Sequence, residues 1–196
     1  MHGKLIETYY PILHTSSFCI TDQPRGVCDL ETKNLAVPKI IALAKMHPNA
    51  DAIVVSCCDD PAVEELKKEL SIPVIGAGSS VCAVARCIGN RIGVIGITEY
   101  VPEVYKQILG NSLLDLGRPD GITCTQDLMT DEGRKSVLCK AQELSSHGAD
   151  CIALACTGMS TIRISRDLEN QCGIPVIDPV MAEGLFAYYA CLRNDQ

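Results

Sequence analysis

Positive charge is scarce in this sequence. Its 17 lysines and arginines stand against 24 aspartates and glutamates, giving a formal charge of −7 and a pI near 5.0. No basic stripe is available to displace counterions from a phosphate backbone, which argues against nucleic acid as a partner. Long apolar runs are missing too. None approaches the roughly 18 residues of a membrane-spanning helix, so no membrane partner is expected. The opening Met1-His2-Gly3-Lys4-Leu5-Ile6-Glu7 lacks the apolar centre of a signal peptide. There is no Cys-x-x-Cys pair, and none of the four histidines (His2, His14, His47, His147) lies near a cysteine at ligand spacing. No metal site is therefore expected. Collagen periods, heptads and tandem short repeats are also absent.

What remains is an apolar chain of 196 residues, 47% hydrophobic and 21% charged. A chain of this size suits one compact domain or two small lobes and buries roughly 70% of its unfolded surface. Its twelve cysteines fall below the density of a small disulfide-stapled domain, and so apolar a chain needs no staples. A reduced, cytoplasmic protein is the expectation.

Apolar runs of strand length alternate with segments of helical period. The pattern predicts strands at 12–20, 52–57, 73–76, 91–97, 121–125, 151–156 and 174–177, and helices at 32–46, 60–70, 78–88, 101–109, 131–147, 160–169 and 179–192. Several strands carry no polar alternation, which predicts central parallel strands covered on both faces. The fold class is α/β. A repeat divides it. Ala50-Asp51-Ala52-Ile53-Val54-Val55-Ser56-Cys57 matches Ala149-Asp150-Cys151-Ile152-Ala153-Leu154-Ala155-Cys156, and each is followed by a helix and then by Ile-Pro-Val-Ile, at 72–75 and 174–177. Two pseudo-symmetric lobes are expected, residues 1–90 with 179–196 forming the first and 91–178 the second.

Ligands of open parallel sheets sit at the carboxyl ends of the strands. Facing lobes would put Cys57 and Cys156 on opposite walls of one cleft, each where a strand gives way to a helix. Asp60 suits an N-cap after Cys57, Pro61 the first helical turn, and Ser160 or Thr161 a cap after Cys156. A helix N-terminus favours thiolate, so both thiols are expected to ionise more readily than a free one. Two thiols across a cleft suit inversion at a carbon centre, one taking a proton from one face and the other returning one to the opposite face. Cys58 follows Cys57, but neighbours at a strand end point to opposite sides, and the repeat register selects Cys57. The other cysteines read as core filler.

Gly76-Ala77-Gly78-Ser79-Ser80-Val81 follows a strand and opens a helix. Val81 stands where a dinucleotide fingerprint needs its third glycine. The expectation is a turn lining the cleft, with Ser79 and Ser80 offering hydroxyls. Asp59 and Asp60 read as capping residues rather than metal ligands, and His147 as a residue placed at a helix end by the dipole.

Cys57-Cys58-Asp59-Asp60-Pro61 resembles the Cys-x-Gly-Asp-Pro element of hydantoin and allantoin racemases. Leu154-Ala155-Cys156-Thr157-Gly158-Met159 resembles their second cysteine motif, and Ile174-Pro175-Val176-Ile177-Asp178-Pro179-Val180 their closing strand. The resemblance, to the aspartate/glutamate/hydantoin racemase superfamily, implies a cofactor-independent racemase of two α/β lobes with Cys57 and Cys156 as the acid/base pair. It makes Cys58, Asp59, Ser79, Ser80, Thr98, Thr157 and Gly158 candidates for holding a small-molecule substrate, and it implies a homo-oligomer. Amino-acid racemases of the superfamily place Asn-Thr where Cys58-Asp59 stand here. An acidic side chain there disfavours a dicarboxylate and favours a neutral 5-substituted hydantoin. Aspartate or glutamate racemase, maleate isomerase and arylmalonate decarboxylase are the alternatives within the superfamily. A non-catalytic binder or redox sensor using the cleft thiols is the alternative outside it. Family members open with a parallel strand, whereas residues 3–7 here match the middle of the helix that follows it. An unpaired apolar sheet edge is therefore expected in the first lobe.

Overall fold

A computed structural model of the chain describes residues 1–23 and 26–194; residues 24–25 and 195–196 of the expected first lobe lie outside them. One parallel sheet pairs β1 (Ile53–Val55) with β2 (Val74–Gly76). A second, also parallel, has the order β4 (Leu113–Leu114), β3 (Ile92–Ile95), β5 (Cys151–Leu154), β6 (Val176–Ile177). The flanking helices are α1 (His2–Tyr9), α2 (Leu30–Lys45), α3 (Val63–Glu69), α4 (Ala77–Ile88), α5 (Glu103–Leu109), α6 (Asp131–Ser146), α7 (Thr157–Thr161), α8 (Ser165–Cys172) and α9 (Pro179–Asn194). Every residue of β3 and β5 is buried, as strands covered on both faces must be. The fold is α/β, built of parallel sheets flanked by helices.

The sequence repeat is also a structural one. The Ile53 N–H donates to the Pro73 carbonyl and the Ile152 N–H to the Pro175 carbonyl, each at 2.9 Å. Ile53 faces Val74 as Ile152 faces Val176. The two units differ on the other side. There β5 pairs with β3, and the Asp150 carboxylate accepts the N–H groups of Asn90 and Arg91. Among the described residues β1 has only β2 beside it, and Asp51 lies exposed on the wall of a cavity that runs along the free edge.

Helix α4 packs on both sheets, touching β2 of the first and β5 and β6 of the second. Its buried Ala77, Val81, Cys82 and Ala85 cluster with Val94 and Ala153 of the second sheet and with Tyr105 of α5. A further cluster packs Leu144 of α6 and Leu168 of α8 against Ile152 and Leu154. The last helix, α9, packs on α1, α4, β1 and β2. Among the described residues no helix is long and apolar enough to cross a membrane.

Two expected strands are not formed. Residues 12–20 run as irregular chain, and the Thr15 N–H and hydroxyl are both held by Glu7 Oε1. At 121–125 the Asp127 carboxylate takes the N–H groups of Thr123 and Cys124 and opens a 3₁₀ turn. In both places a nearby carboxylate outcompetes a ladder partner for the backbone donors. The helix expected at 160–169 is broken in two by Arg163, whose φ is 52°. The break lets Ser160 and Ser165 donate to the two oxygens of Asp178. On a continuous helix, residues five apart would point about 140° away from each other.

Candidate active site

Beyond Val55 the chain turns sharply. The Cys57 N–H returns to the Val55 carbonyl and the Asp60 N–H to the Cys57 carbonyl, and Asp60 and Ala62 have φ of 45° and 66°. Asp60 does not cap the helix that follows it, as its position in the sequence suggests. The left-handed turn delays α3 until Val63, with Ala62 at its N-cap. The Asp60 carboxylate instead reaches the start of α4, accepting the N–H groups of Gly78 at 2.7 Å and Ser79 at 2.8 Å. This explains the glycines at 76 and 78. A Cβ on Gly76 would run into the Asp60 carboxylate, and one on Gly78 into the Cys58 carbonyl. The Gly-Ala-Gly sequence is the seat on which the cysteine turn rests.

Two further ties hold this turn. Asp59 pairs with Lys33 of α2 at 2.8 Å and accepts the Tyr100 hydroxyl at 3.3 Å. Cys58 points inward, its thiol 3.8 Å from the Leu154 carbonyl, which also accepts the Tyr105 hydroxyl at 2.9 Å. Cys57 is left on the opposite side, half-buried, facing the cavity.

Cys156 ends β5's extension and stands at the N-cap of α7. The expected cap, Ser160, is inside α7 and bonded to Asp178, while Thr161 bonds His2. The Cys156 sulfur lies 4.0 Å from Thr125 Oγ1. Gly158 must lack a side chain because a Cβ there would meet the Thr125 methyl group and approach this sulfur to 3.3 Å. The Thr157 hydroxyl crosses to the Ser56 carbonyl at 3.4 Å, linking the two cysteine turns.

Both cysteines line one cavity of about 950 Å³, together with Asp59, Thr98, Thr125, Thr157 and Glu183. Other sequence candidates point elsewhere. The Ser79 and Ser80 hydroxyls turn back on the Gly76 carbonyl, at 3.2 and 2.6 Å, and neither residue lines the cavity. They satisfy the start of α4 instead of offering groups to a ligand. Thr98 lines the wall with its hydroxyl turned to the Tyr100 carbonyl. His147 sits at the C-terminus of α6 against the Glu143 carbonyl.

Burial dominates the thiols and overturns the expectation that helix ends make them more acidic. It pushes Cys57 up to about 12 against one opposing backbone N–H, that of Asp59, and the charges of Asp59, Cys156 and Asp60 push the same way. Burial also raises Cys156, where the N–H groups of Gly158 and Met159 and the Thr125 hydroxyl all favour the thiolate. Burial thus favours the neutral form of both thiols, and Cys156 is the better furnished of the two to hold a negative charge. Among the described residues no group of three His, Cys, Asp or Glu side chains could hold a metal ion.

Several residues of this wall have little sequence signal. Glu183 is an isolated carboxylate in an apolar helix, which is a usable sign. Nothing marks His2, Ser56 or Thr125 in advance, nor Lys33 and Tyr100 that hold Asp59 from outside the wall, since each arrives through tertiary packing.

Residues 5–183 match the model of the Asp/Glu/Hydantoin racemase family. The chain belongs to this family. A hydantoin racemase of Rhizobium meliloti is 27% identical over 184 residues, covering 86% of this chain and 73% of that protein. Allantoin racemase from Klebsiella pneumoniae superposes with a TM-score of 0.83 at 18% identity, covering 98% of this chain and 82% of that one. A glutamate racemase of Bacillus anthracis gives 0.72 at 18% identity, over 98% and 79%. Membership of the racemase family makes the chain an isomerase. It also changes the weight of Asp59. The residue is neutralised by Lys33, so no bare charge stands behind the repulsion of a dicarboxylate expected from the sequence.

Proposed function

We propose that the chain is a two-thiol racemase acting on the carbon next to a carbonyl in a 5-substituted hydantoin or a related neutral cyclic amide. The carrying observation is that Cys57 and Cys156, at equivalent turns of a repeated unit, line the same cavity. Cys156, whose three donors oppose the rise that burial imposes, takes the proton from one face as the thiolate and becomes a thiol. The Cys57 thiol delivers its proton to the opposite face and becomes the thiolate. The reverse reaction uses the same groups with their roles exchanged, and the pair titrates as one coupled unit.

Two features support a neutral ring as substrate. The described residues lining the cavity include no lysine or arginine to hold a carboxylate. The curated relative named above is itself a hydantoin racemase. Incubation in D₂O with 5-substituted hydantoins, allantoin, aspartate and glutamate, followed by proton NMR, tests the reading. The expected result is loss of the α-proton of a hydantoin-type ring with racemisation, and loss of the racemisation in Cys57→Ser and in Cys156→Ser. Removal of one acid/base group costs roughly 10²–10⁴-fold. Racemisation that survives in either variant would sink the two-thiol mechanism, and exchange of aspartate or glutamate alone would sink the substrate class.

A further inference from the structure

Behind the cysteine turns runs a polar chain that the proposed chemistry does not use. Glu183 of α9 has no exposed surface; its Oε1 accepts the Ser56 hydroxyl at 2.7 Å, and its Oε2 has no partner. Ser56 immediately precedes Cys57. His2 Nδ1 lies 2.9 Å from Ser56 Oγ, and its Nε2 lies 3.1 Å from Thr161 Oγ1. Burial lowers the His2 pKa and keeps the ring neutral. Thr161 is the last residue of α7, the short helix whose N-cap is Cys156. One hydrogen-bonded relay thus runs from α7 through His2 and Ser56 to α9.

We infer that this relay is a clamp setting the spacing of the two thiols, with His2, Ser56 and Glu183 as positioning residues. The inference rests on the two-thiol reading. Ser56 is grasped twice: its hydroxyl belongs to the relay, and its carbonyl receives the Thr157 hydroxyl. Both grasps join the turn carrying Cys57 to the helix carrying Cys156. Inversion needs the carbon within reach of both sulfurs at once, so slack between the turns lowers the rate more than it weakens binding.

The test uses the full chain with Ser56→Ala, His2→Ala, Glu183→Leu and Glu183→Gln. Two readouts are needed: kcat and KM for α-proton exchange of a 5-substituted hydantoin, and the separate alkylation rates of Cys57 and Cys156 by iodoacetamide, followed by peptide mass spectrometry. Circular dichroism checks folding. Ser56→Ala and Glu183→Leu should lower kcat on the order of 10²-fold at unchanged KM, the loss a small misplacement of reacting groups produces. They should also change the ratio of the two alkylation rates by about tenfold, the thiolate change that one unit of pKa produces. Glu183→Gln keeps an acceptor for Ser56 and should restore most of both, which a merely space-filling role does not predict. His2→Ala, at the half-exposed start of α1, gives the same readings if a core variant fails to fold. Folded variants with wild-type thiol rates, or with an effect on KM alone, overturn the clamp. If the wild type exchanges no substrate, the proposed function fails, while the alkylation ratios still decide the clamp.

Discussion

Glu183 puts an ionisable carboxyl where water does not reach, and the consequence can be read in stability. Burial raises it from 4.5 to about 8 against the opposing hydroxyl of Ser56, with Asp178 and Asp60 adding to the rise. Below the unfolded value the group is protonated in both states and costs nothing. Between 4.5 and about 8 the unfolded chain ionises while the folded one does not, so stability falls as pH rises through this window. The slope from this residue has a ceiling of about 1.4 kcal/mol per pH unit. Urea denaturation of Glu183→Gln across the window should show a flatter profile than wild type, with the variant gaining on it as pH rises. Parallel profiles would mean that Glu183 is ionised in the folded protein.

At the scale of single elements, α4 depends on a residue outside itself. It has no side-chain cap of its own, and Asp60, 18 positions from Gly78, supplies the acceptors. Asp60→Ala should destabilise the protein by about 1–2 kcal/mol, as loss of an N-cap does. Asn at the same place, which keeps an acceptor, should recover part of that loss. Thermal or urea denaturation measures both, and an unchanged midpoint for Ala would contradict the assignment. Which side chain caps which helix was the least legible feature of the sequence. The Asp60-Pro61 pair has the local signature of an N-cap and first turn. The left-handed backbone at Asp60 and Ala62, however, turns the carboxylate across to a different helix. Ser79 and Ser80 pose a similar question: a hydroxyl near a helix start can face a ligand or, as here, fold back on its own backbone, and only the packing decides.

Over the whole molecule, the legible part was what repeats. Matching Ala-Asp and Ile-Pro-Val-Ile sequences located β1, β2, β5 and β6 and placed a cysteine at equivalent strand ends, because strand periodicity and burial are written locally. The polar chain from Thr161 to Glu183 was not legible, since its bonded partners lie up to 159 positions apart. The two units also differ in a way that can be measured. Among the described residues β5 is flanked by β3 and β6, whereas β1 has a strand on one side only. Backbone amides of β1 should therefore exchange with D₂O well before those of β5, and equal protection of the two strands would show that the free edge is covered.

The central claim is that two groups serve opposite faces of one carbon, and isotope placement in a single enantiomer tests it. The substrate is one enantiomer of a 5-substituted hydantoin in D₂O, sampled before much has been converted and resolved by chiral separation with mass analysis. Two thiols working from opposite faces predict that the inverted product carries deuterium while the recovered starting enantiomer retains its protium. Equal deuterium in both enantiomers from the earliest samples would mean that one base serves both faces, and would contradict the account.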